Sequence, residues 1–348
     1  MTETPLIPTP AEMLVGRQLG DWTVIERIVR PPLATGGNFS VGYVVESDRG
    51  RRGFLKALDF SDAFEQPDFN EAVNQLTWAF IHERDLLRDC ARMSRVVTAL
   101  DHGAVRDPDW SFPVSYLIFE WADQDSRTYV DTAEQFDIAL RLRALHHASV
   151  GLQQLHSGQI VHQDMKPSNL LIFNGIGSKV ADLGRSAHRS TSGPFDDFDC
   201  PGDRTYAPPE ILYRAGSNDW EGRLASDMYQ LGSLAMFFFT GLGMTSALLA
   251  RLDRKVAPQE WRGSYSGAMP FVQQAFADSI DTMANQTPSK IRVQLTRIVK
   301  ELTHPDPERR GHPRNRIGYQ NKYGLQRYVS SFNLLAGKAE YKLRQGLQ

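Results

Sequence analysis

The sequence has few cysteines, no excess of either charge and no export signal. Cys90 and Cys200 are its only cysteines, too few for a disulfide framework and without metal-ligand spacing, which favours a reducing compartment. Lysine and arginine number 39 against 41 acidic residues, so composition predicts no overall attraction to nucleic acid or to an anionic membrane. Residues 1–13 carry prolines and acids where an export signal needs a basic stretch and an apolar run, and we expect a cytoplasmic protein.

Charge is also absent from one long run, residues 228–250, which is long enough to span a bilayer. Polar side chains interrupt this run, and Gly241 and Gly243 indicate a helix end near its middle. We interpret it as a buried core helix and expect no membrane span.

The hydrophobic pattern divides the chain into a β-rich first third and a mainly helical remainder. Short β-rich runs at 22–29, 40–47 and 51–60 are separated by turn-forming residues. A helical stretch follows at about 70–93, and residues 139–156 form the clearest amphipathic helix. This order predicts an α+β fold with two lobes.

The strongest motif is His-Gln-Asp-Met-Lys-Pro-Ser-Asn at 162–169, followed by Asp-Leu-Gly at 182–184. The first resembles the catalytic loop of protein kinases, H-R-D-L-K-P-x-N, at six of eight positions, and the second resembles their D-F-G motif. The chain is similar to eukaryotic-like (Hanks-type) serine/threonine protein kinases. With no attached sensor or membrane-anchored region in the sequence, we expect a stand-alone enzyme of the bacterial type.

The resemblance implies a protein-kinase-like fold, and we expect the following parts. They are an N-terminal tail at 1–21, the kinase N-lobe at 22–122, the kinase C-lobe at 123–335 and a C-terminal tail at 336–348.

Phosphoryl transfer needs metals, phosphates and an acceptor hydroxyl in defined positions, and the motif residues suit that need. Asp182 and Asn169 offer oxygen ligands for Mg²⁺. Asp164 would accept or orient the proton of the acceptor hydroxyl, and Lys166 can neutralise charge on the phosphate in transfer. The resemblance implies ATP as the nucleotide, and Lys166 favours serine or threonine acceptors in proteins.

Further candidate residues lie upstream. Lys56, on a predicted strand, looks like the β3 lysine that contacts the α- and β-phosphates, and Glu83, 27 residues later on a predicted helix, is its expected partner. Phe119 looks like the gatekeeper, with Glu120 to Ala122 offering backbone groups to adenine.

The glycine-rich loop is the weakest match to the family, with its resemblance at Gly37 and Phe39. Gly36 and Gly37 would let backbone N–H groups approach the phosphates. Gly42 stands where the family has an adenine-covering valine, and Phe54 stands where it has a small alanine. We hypothesise that Phe54 compensates for Gly42 and covers the adenine face; the alternative is that Phe54 blocks the pocket.

Two late motifs complete the resemblance. Tyr-Ala-Pro-Pro-Glu at 206–210 looks like the A-P-E segment, and residues 306–310 resemble the D-P-x-x-R motif. The resemblance implies a buried ion pair between Glu210 and Arg310. Residues 226–232 look like the start of the family's central helix.

The segment from Gly184 to Arg204 departs from the family in its regulation. Gln163 replaces the arginine that, in many relatives, pairs with a phosphorylated loop, so we predict activity that does not depend strictly on loop phosphorylation. Asp203 stands where the family has a threonine and could instead pair with Lys166.

Other functions stay open at this point. A kinase-like enzyme acting on a small molecule fits the fold, although the late motifs argue against it. A pseudokinase scaffold is suggested by Ser40, Gly42, Phe54 and Asp203, although the catalytic polar residues are retained. The last forty residues hold nine Lys or Arg against Glu340 alone, which we interpret as ordinary solvated helices, not a nucleic-acid surface. The sequence predicts neither the physiological substrate nor the oligomeric state.

Overall fold

The structure is a computed structural model that describes residues 8–29, 40–128, 138–317 and 321–345. Its described residues form two compact units. The first unit falls within Met1–Arg92 and Val97–Asp123, and the second within Met93–Val96 and Gln124–Gln348. The first is built mainly on a sheet and the second mainly on helices, so the predicted α+β fold is confirmed.

An antiparallel sheet of six strands organises the first unit, in the order β1-β2-β3-β4-β6-β5. Its strands are β1 (Gln18–Leu19), β2 (Trp22–Arg27), β3 (Ser40–Ser47), β4 (Arg52–Leu58), β5 (Ala99–Val105) and β6 (Val114–Glu120). Successive side chains of a strand point to opposite faces. Leu55 and Ala57 of β4 are therefore buried in the hydrophobic core of the unit, while Phe54 and Lys56 share the other face.

Helix α1 (Phe69–Asp89) follows β4. It begins where the Asp68 carboxylate accepts a hydrogen bond from the Glu71 N–H, which satisfies a donor at the helix N-terminus. Its buried positions include Phe80, Glu83 and Leu87, which recur at three- and four-residue intervals and so lie on one face of the helix.

The second unit combines short strands with most of the described helices. The strands are β7 (Gln124–Asp125), β8 (Ile160–Val161), β9 (Leu170–Phe173), β10 (Gly177–Val180) and β11 (Ala187–His188). The helices are α2 (Ile138–Ser157), α3 (Pro209–Leu212), α4 (Trp220–Thr240), α5 (Met244–Leu249), α6 (Tyr265–Gln286), α7 (Ser289–Leu302) and α8 (Gln326–Arg344).

Helix α4 contains the first half of the charge-free run and lies in the core of the second unit. Fifteen of its 21 residues are buried. The helix begins after Asp219, whose carboxylate accepts from the Gly222 N–H, and ends at Gly241, which adopts a left-handed backbone with φ of 75°. Of the described helices, none is sufficiently long and apolar to cross a membrane. The run is divided between α4 and the short helix Met244–Leu249, both largely buried, with the helix end near its middle that Gly241 and Gly243 predicted.

Residues within both expected tails make contacts with the rest of their unit. Leu14 is fully buried in the core of the first unit, and Ala11 accepts a hydrogen bond from the hydroxyl of Tyr43. At the other end, α8 continues to Arg344, and Glu340 pairs with Arg143 of α2 at 2.7 Å. The partners in these contacts lie far away in the sequence, where local composition does not report them.

Candidate active site

In the first unit, the predicted lysine–glutamate pair is formed. Lys56 Nζ lies 2.9 and 2.8 Å from the two carboxylate oxygens of Glu83. Strand β4 directs Lys56 away from the core, and the buried face of α1 brings Glu83 to it. The Glu83 side chain is 5% exposed and that of Lys56 is 23% exposed, so the ammonium is held by a buried carboxylate yet keeps access to solvent.

Beside this pair, Gly42 and Phe54 fit together as the volume-compensation hypothesis requires. A Cβ placed on Gly42 would lie 3.0 Å from Cε2 of Phe54, so the ring occupies the space beside the glycine. Phe54 also contacts Phe119 on the neighbouring strand β6, with ring centroids 6.3 Å apart. The other loop residues singled out, Gly36, Gly37 and Phe39, lie outside the described residues.

The expected adenine-binding segment directly follows β6. Glu120 ends the strand, its N–H donates to the carbonyl of Thr98, and its carboxylate accepts from the Thr98 N–H at 2.8 Å. Ala122 is half-buried two residues beyond the strand. The Glu120 N–H is therefore used within the first unit.

In the second unit, side chains of helix α4 bind the backbone of the loop at 162–169. The fully buried Asp227 carboxylate accepts from the N–H of His162 at 2.8 Å and from that of Gln163 at 2.7 Å. Gln230, three residues along the helix, accepts from the N–H of Met165 and donates to the carbonyl of Gln163. Charge-assisted and buried hydrogen bonds of this kind fix the loop strongly.

Three neighbours converge on the carboxylate of Asp164. Its Oδ1 accepts from the backbone N–H of Asp203 at 2.7 Å. Its Oδ2 accepts from the side-chain amide of Asn169 at 3.1 Å and lies 3.0 Å from Lys166 Nζ. Lys166 also lies 3.6 Å from the carboxylate of Asp203, which agrees with the pairing considered from the sequence.

Burial, hydrogen bonds and neighbouring charges shift the pKa values of Asp164 and Asp203 in opposite directions. Burial raises the pKa of Asp164 above its usual value, the positive charge of Lys166 counteracts this, and the negative charge of Asp182 adds to it. Burial also acts to raise the pKa of Asp203, but hydrogen bonds from Thr205 and the charge of Lys166 bring it below its usual value.

Asn169 and Asp182 are suited to hold a hard metal ion. The Asn169 amide nitrogen donates to the backbone carbonyl and the carboxylate of Asp164, which leaves the amide oxygen as the atom for a metal. Asp182 has a left-handed backbone with φ of 63°, a rare conformation often found at functional sites. Within the described ranges no group of three or more acidic, His or Cys side chains could hold a metal. A metal here would thus need further ligands from water and phosphate, as Mg²⁺ commonly takes.

The late motifs form the predicted buried ion pair. Arg310 Nη1 and Nη2 lie 2.6 and 2.8 Å from the two carboxylate oxygens of Glu210. The Arg310 side chain is fully buried, and its remaining bonds go to the carbonyls of His304 and Ala225.

Sequence reasoning missed the residues that support the site. Asp227 and Gln230 were assigned to the central helix, without a role in holding the catalytic loop. Gly202 was also overlooked, although a Cβ there would lie 2.8 Å from Asp164 Oδ1 and closer still to the carbonyl of Gln163. The one available signal was the isolated Asp227 at the edge of a charge-free run, where a buried charge requires partners.

Comparison with known proteins agrees with this geometry. The family model described as the protein kinase domain matches residues 37–317, more than half of the chain. The chain therefore belongs to the protein kinase family.

Among its relatives is mitogen-activated protein kinase 5 of Oryza sativa, 25% identical over 273 residues that cover 68% of this chain and 71% of the relative. Cyclin-dependent kinase 4 of Ovis aries is 32% identical over 44% of this chain and 50% of its own length. Extracellular signal-regulated kinase 7 of Drosophila melanogaster is 30% identical over 34% of this chain, and the match spans 13% of that much longer kinase.

Proposed function

We propose that this protein is a serine/threonine protein kinase that transfers the γ-phosphoryl group of ATP to hydroxyl groups of protein substrates. Membership of the protein kinase family supports ATP as the substrate nucleotide. The observation that carries the proposal is the carboxylate of Asp164, held by Asp203, Asn169 and Lys166. A buried carboxylate held from three sides is suited to receive a hydroxyl at a fixed angle.

In the reaction, the acceptor oxygen forms a bond to the γ-phosphorus while the bond from that phosphorus to the bridging oxygen of ADP breaks. Asp164 orients the acceptor hydroxyl and takes its proton. The ammonium of Lys166, 3.0 Å from Asp164 Oδ2, stabilises negative charge on the phosphoryl group in transfer.

Each unit has its own candidate residues for binding the nucleotide. Lys56, fixed by Glu83, binds phosphate oxygens, while Phe54 and Phe119 cover apolar surface of the adenine ring. The residues for Mg²⁺ are Asn169 and Asp182, and the ion would neutralise phosphate charge when bound. The glycine-rich segment with Gly36, Gly37, Phe39 and Gly42 is proposed to approach the phosphates through its backbone.

The cellular setting is part of the same proposal. Cys90 and Cys200 are unpaired thiols, as expected in a reducing compartment, and we place the protein in the cytoplasm. We do not propose nucleic acid as a partner, because the basic C-terminal residues include the buried Arg310 and the paired Lys322.

A transfer assay separates this function from the two alternatives. The protein is incubated with γ-labelled ATP, Mg²⁺ and either a generic protein acceptor or a panel of small hydroxyl compounds. We expect label on serine or threonine of the protein acceptor and none with Asp164→Asn or Asp182→Ala. Label on small molecules alone would indicate a small-molecule phosphotransferase, and ATP binding without any transfer would indicate a scaffold.

A further inference from the structure

The segment from Gly184 to Arg204 lies between Asp182 and the Tyr-Ala-Pro-Pro-Glu motif at 206–210. One acidic residue within it, Asp196, anchors it. Its carboxylate is shared between two partners, with Oδ2 accepting from the backbone N–H of Gly193 and Oδ1 accepting from Arg223 Nη1, both at 2.6 Å. Gly193 is buried, and the N–H of Asp196 donates to the carbonyl of Gly193. Gly193 and Asp196 therefore close a tight turn.

Arg223 uses all three guanidinium nitrogens at this point. Nη1 binds the Asp196 carboxylate, Nη2 donates to the Asp196 carbonyl at 3.0 Å, and Nε donates to the carbonyl of Asn218 at 2.9 Å. Its side chain is 13% exposed. An arginine that is largely buried and donates a hydrogen bond from each of its three guanidinium nitrogens holds a fixed geometry, unlike an exposed surface ion pair.

The position of Arg223 on helix α4 gives this pair a mechanistic meaning. Arg223 precedes Asp227 by one helical turn, so the same face of α4 holds the segment through Arg223 and the catalytic loop through Asp227. The two parts that must be aligned for transfer are thereby fixed to one rigid element.

A second link joins the same segment to the catalytic loop. The guanidinium of Arg185 stacks on the ring of Phe195, 4.1 Å from its centroid, and the carbonyl of Arg185 accepts from the side-chain amide of Gln163. Gln163, which occupies the position of the family's phosphate-reading arginine, therefore makes a neutral hydrogen bond to the backbone instead.

We propose that Asp196 and Arg223 are positioning residues that form a permanent ionic clamp, which orders the segment for protein-acceptor binding without phosphorylation. The proposal rests on the proposed kinase function. The clamped segment leads to Asp203, whose N–H holds Asp164, so loss of the clamp affects alignment of the acceptor. ATP binding relies on other residues and is unaffected.

The test compares Asp196→Asn and Arg223→Ala with Asp197→Asn as the matched control. Asp197 is the neighbouring acid, is exposed, and forms no ion pair with described residues. Asp196→Asn keeps the size of the side chain and an acceptor for Gly193 but removes the charge. Arg223→Lys, which keeps the charge but not the forked geometry, serves if the alanine variant does not fold.

Two readouts are measured on the full chain: amide hydrogen exchange of residues 190–204, and the KM for acceptor and for ATP. We expect exchange at Gly193 to become about tenfold faster and the acceptor KM to rise about tenfold in Asp196→Asn and Arg223→Ala, with Arg223→Lys intermediate. The ATP KM should stay unchanged, and phosphatase-treated wild type should keep its turnover and slow exchange.

Exchange and acceptor KM equal to those of Asp197→Asn would overturn the clamp, as would loss of slow exchange after phosphatase treatment. The exchange measurement needs no catalysis and can be repeated on Asp164→Asn. A wild type with slow, Asp196-dependent exchange but no phosphoryl transfer would therefore contradict the proposed function and leave the clamp standing.

Discussion

The backbone N–H of Asp203 donates a 2.7 Å hydrogen bond to Oδ1 of Asp164. The side chain of Asp203 meanwhile lies 3.6 Å from Lys166 Nζ, so the lysine has a carboxylate on each side. Its positive charge is thus shared between Asp164 and a residue that, in the family pattern, has a hydroxyl instead.

Asp203→Asn should raise turnover. The substitution keeps the backbone bond to Asp164 but removes a charge that competes for Lys166, which leaves more positive charge for the phosphoryl group. The two groups lie 3.6 Å apart and Asp203 is only partly buried, so the contact is worth about 1 kcal/mol and we expect kcat to rise about fivefold at most with the ATP KM unchanged. Steady-state kinetics test this, and a fall in kcat would mean that the Asp203 carboxylate itself is required.

The pH dependence should reflect the raised pKa of Asp164. In the proposed mechanism the carboxylate takes the proton of the acceptor, so kcat/KM should fall as pH drops through a pKa above 3.8. Lys166→Met removes the charge that opposes this rise and should move the acidic limb to higher pH, whatever its effect on the maximum rate. Lys322→Met, remote in sequence and paired with Glu308, is the control and should leave the limb in place.

The raised pKa of Asp164 also affects the stability of the folded protein, because ionisation of Asp164 lowers that stability. A raised carboxyl pKa in the folded protein contributes stability that is present below the unfolded value of 3.8 and is lost as pH rises through the folded value. The ionised Asp164 that the proposed mechanism requires is therefore held at a cost to stability. An acidic limb that does not move in Lys166→Met would contradict this description of the site.

Phe54 and Gly42 should behave as a coupled pair in ATP binding. Phe54→Ala should weaken ATP binding about tenfold by removing apolar surface from the adenine site. Gly42→Val should weaken it too, since its side chain would meet the Phe54 ring. The double variant restores the family's small-and-branched arrangement and should bind more tightly than either single variant. Calorimetric titration with ATP checks this, and tighter binding by Phe54→Ala alone would show that the ring blocks the pocket.

Breaking the buried Glu210–Arg310 pair should be strongly destabilising. Arg310→Met leaves a buried carboxylate without its partner and should lower the free energy of unfolding by about 3–5 kcal/mol. Glu210→Gln combined with Arg310→Met should cost less than the sum of the single changes. Urea denaturation provides the measurement, with Lys322→Met as the control, because its partner Glu308 is 81% exposed and the loss should stay below about 1 kcal/mol. If Arg310→Met and Lys322→Met lowered the free energy of unfolding equally, the Glu210–Arg310 pair would not have the structural role proposed for it.

The sequence predicted those parts of the site that depend on short motifs. The pairs Lys56–Glu83 and Glu210–Arg310 follow from motif order, and the structure forms both with bidentate geometry. The roles proposed for Asp164, Asn169 and Asp182 remain predictions for the assays above.

What the sequence could not predict depends on contacts between distant residues. Asp227 holds a loop more than sixty positions earlier, and Arg223 holds Asp196 across a span of 27 residues. No local periodicity reports such bonds. The ion pair between Glu340 and Arg143 could not be predicted for the same reason, since 197 residues separate the two side chains in the sequence.

The most direct test of the whole account is a single-turnover experiment with γ-labelled ATP, Mg²⁺ and an excess of enzyme and protein acceptor. Wild type should transfer the label to serine and threonine of the acceptor. Asp164→Asn should bind ATP with wild-type affinity and transfer at least about 100-fold more slowly. Transfer by Asp164→Asn at the wild-type rate, or no transfer by wild type that binds both ATP and acceptor, would contradict the assignment of a protein kinase active site at Asp164.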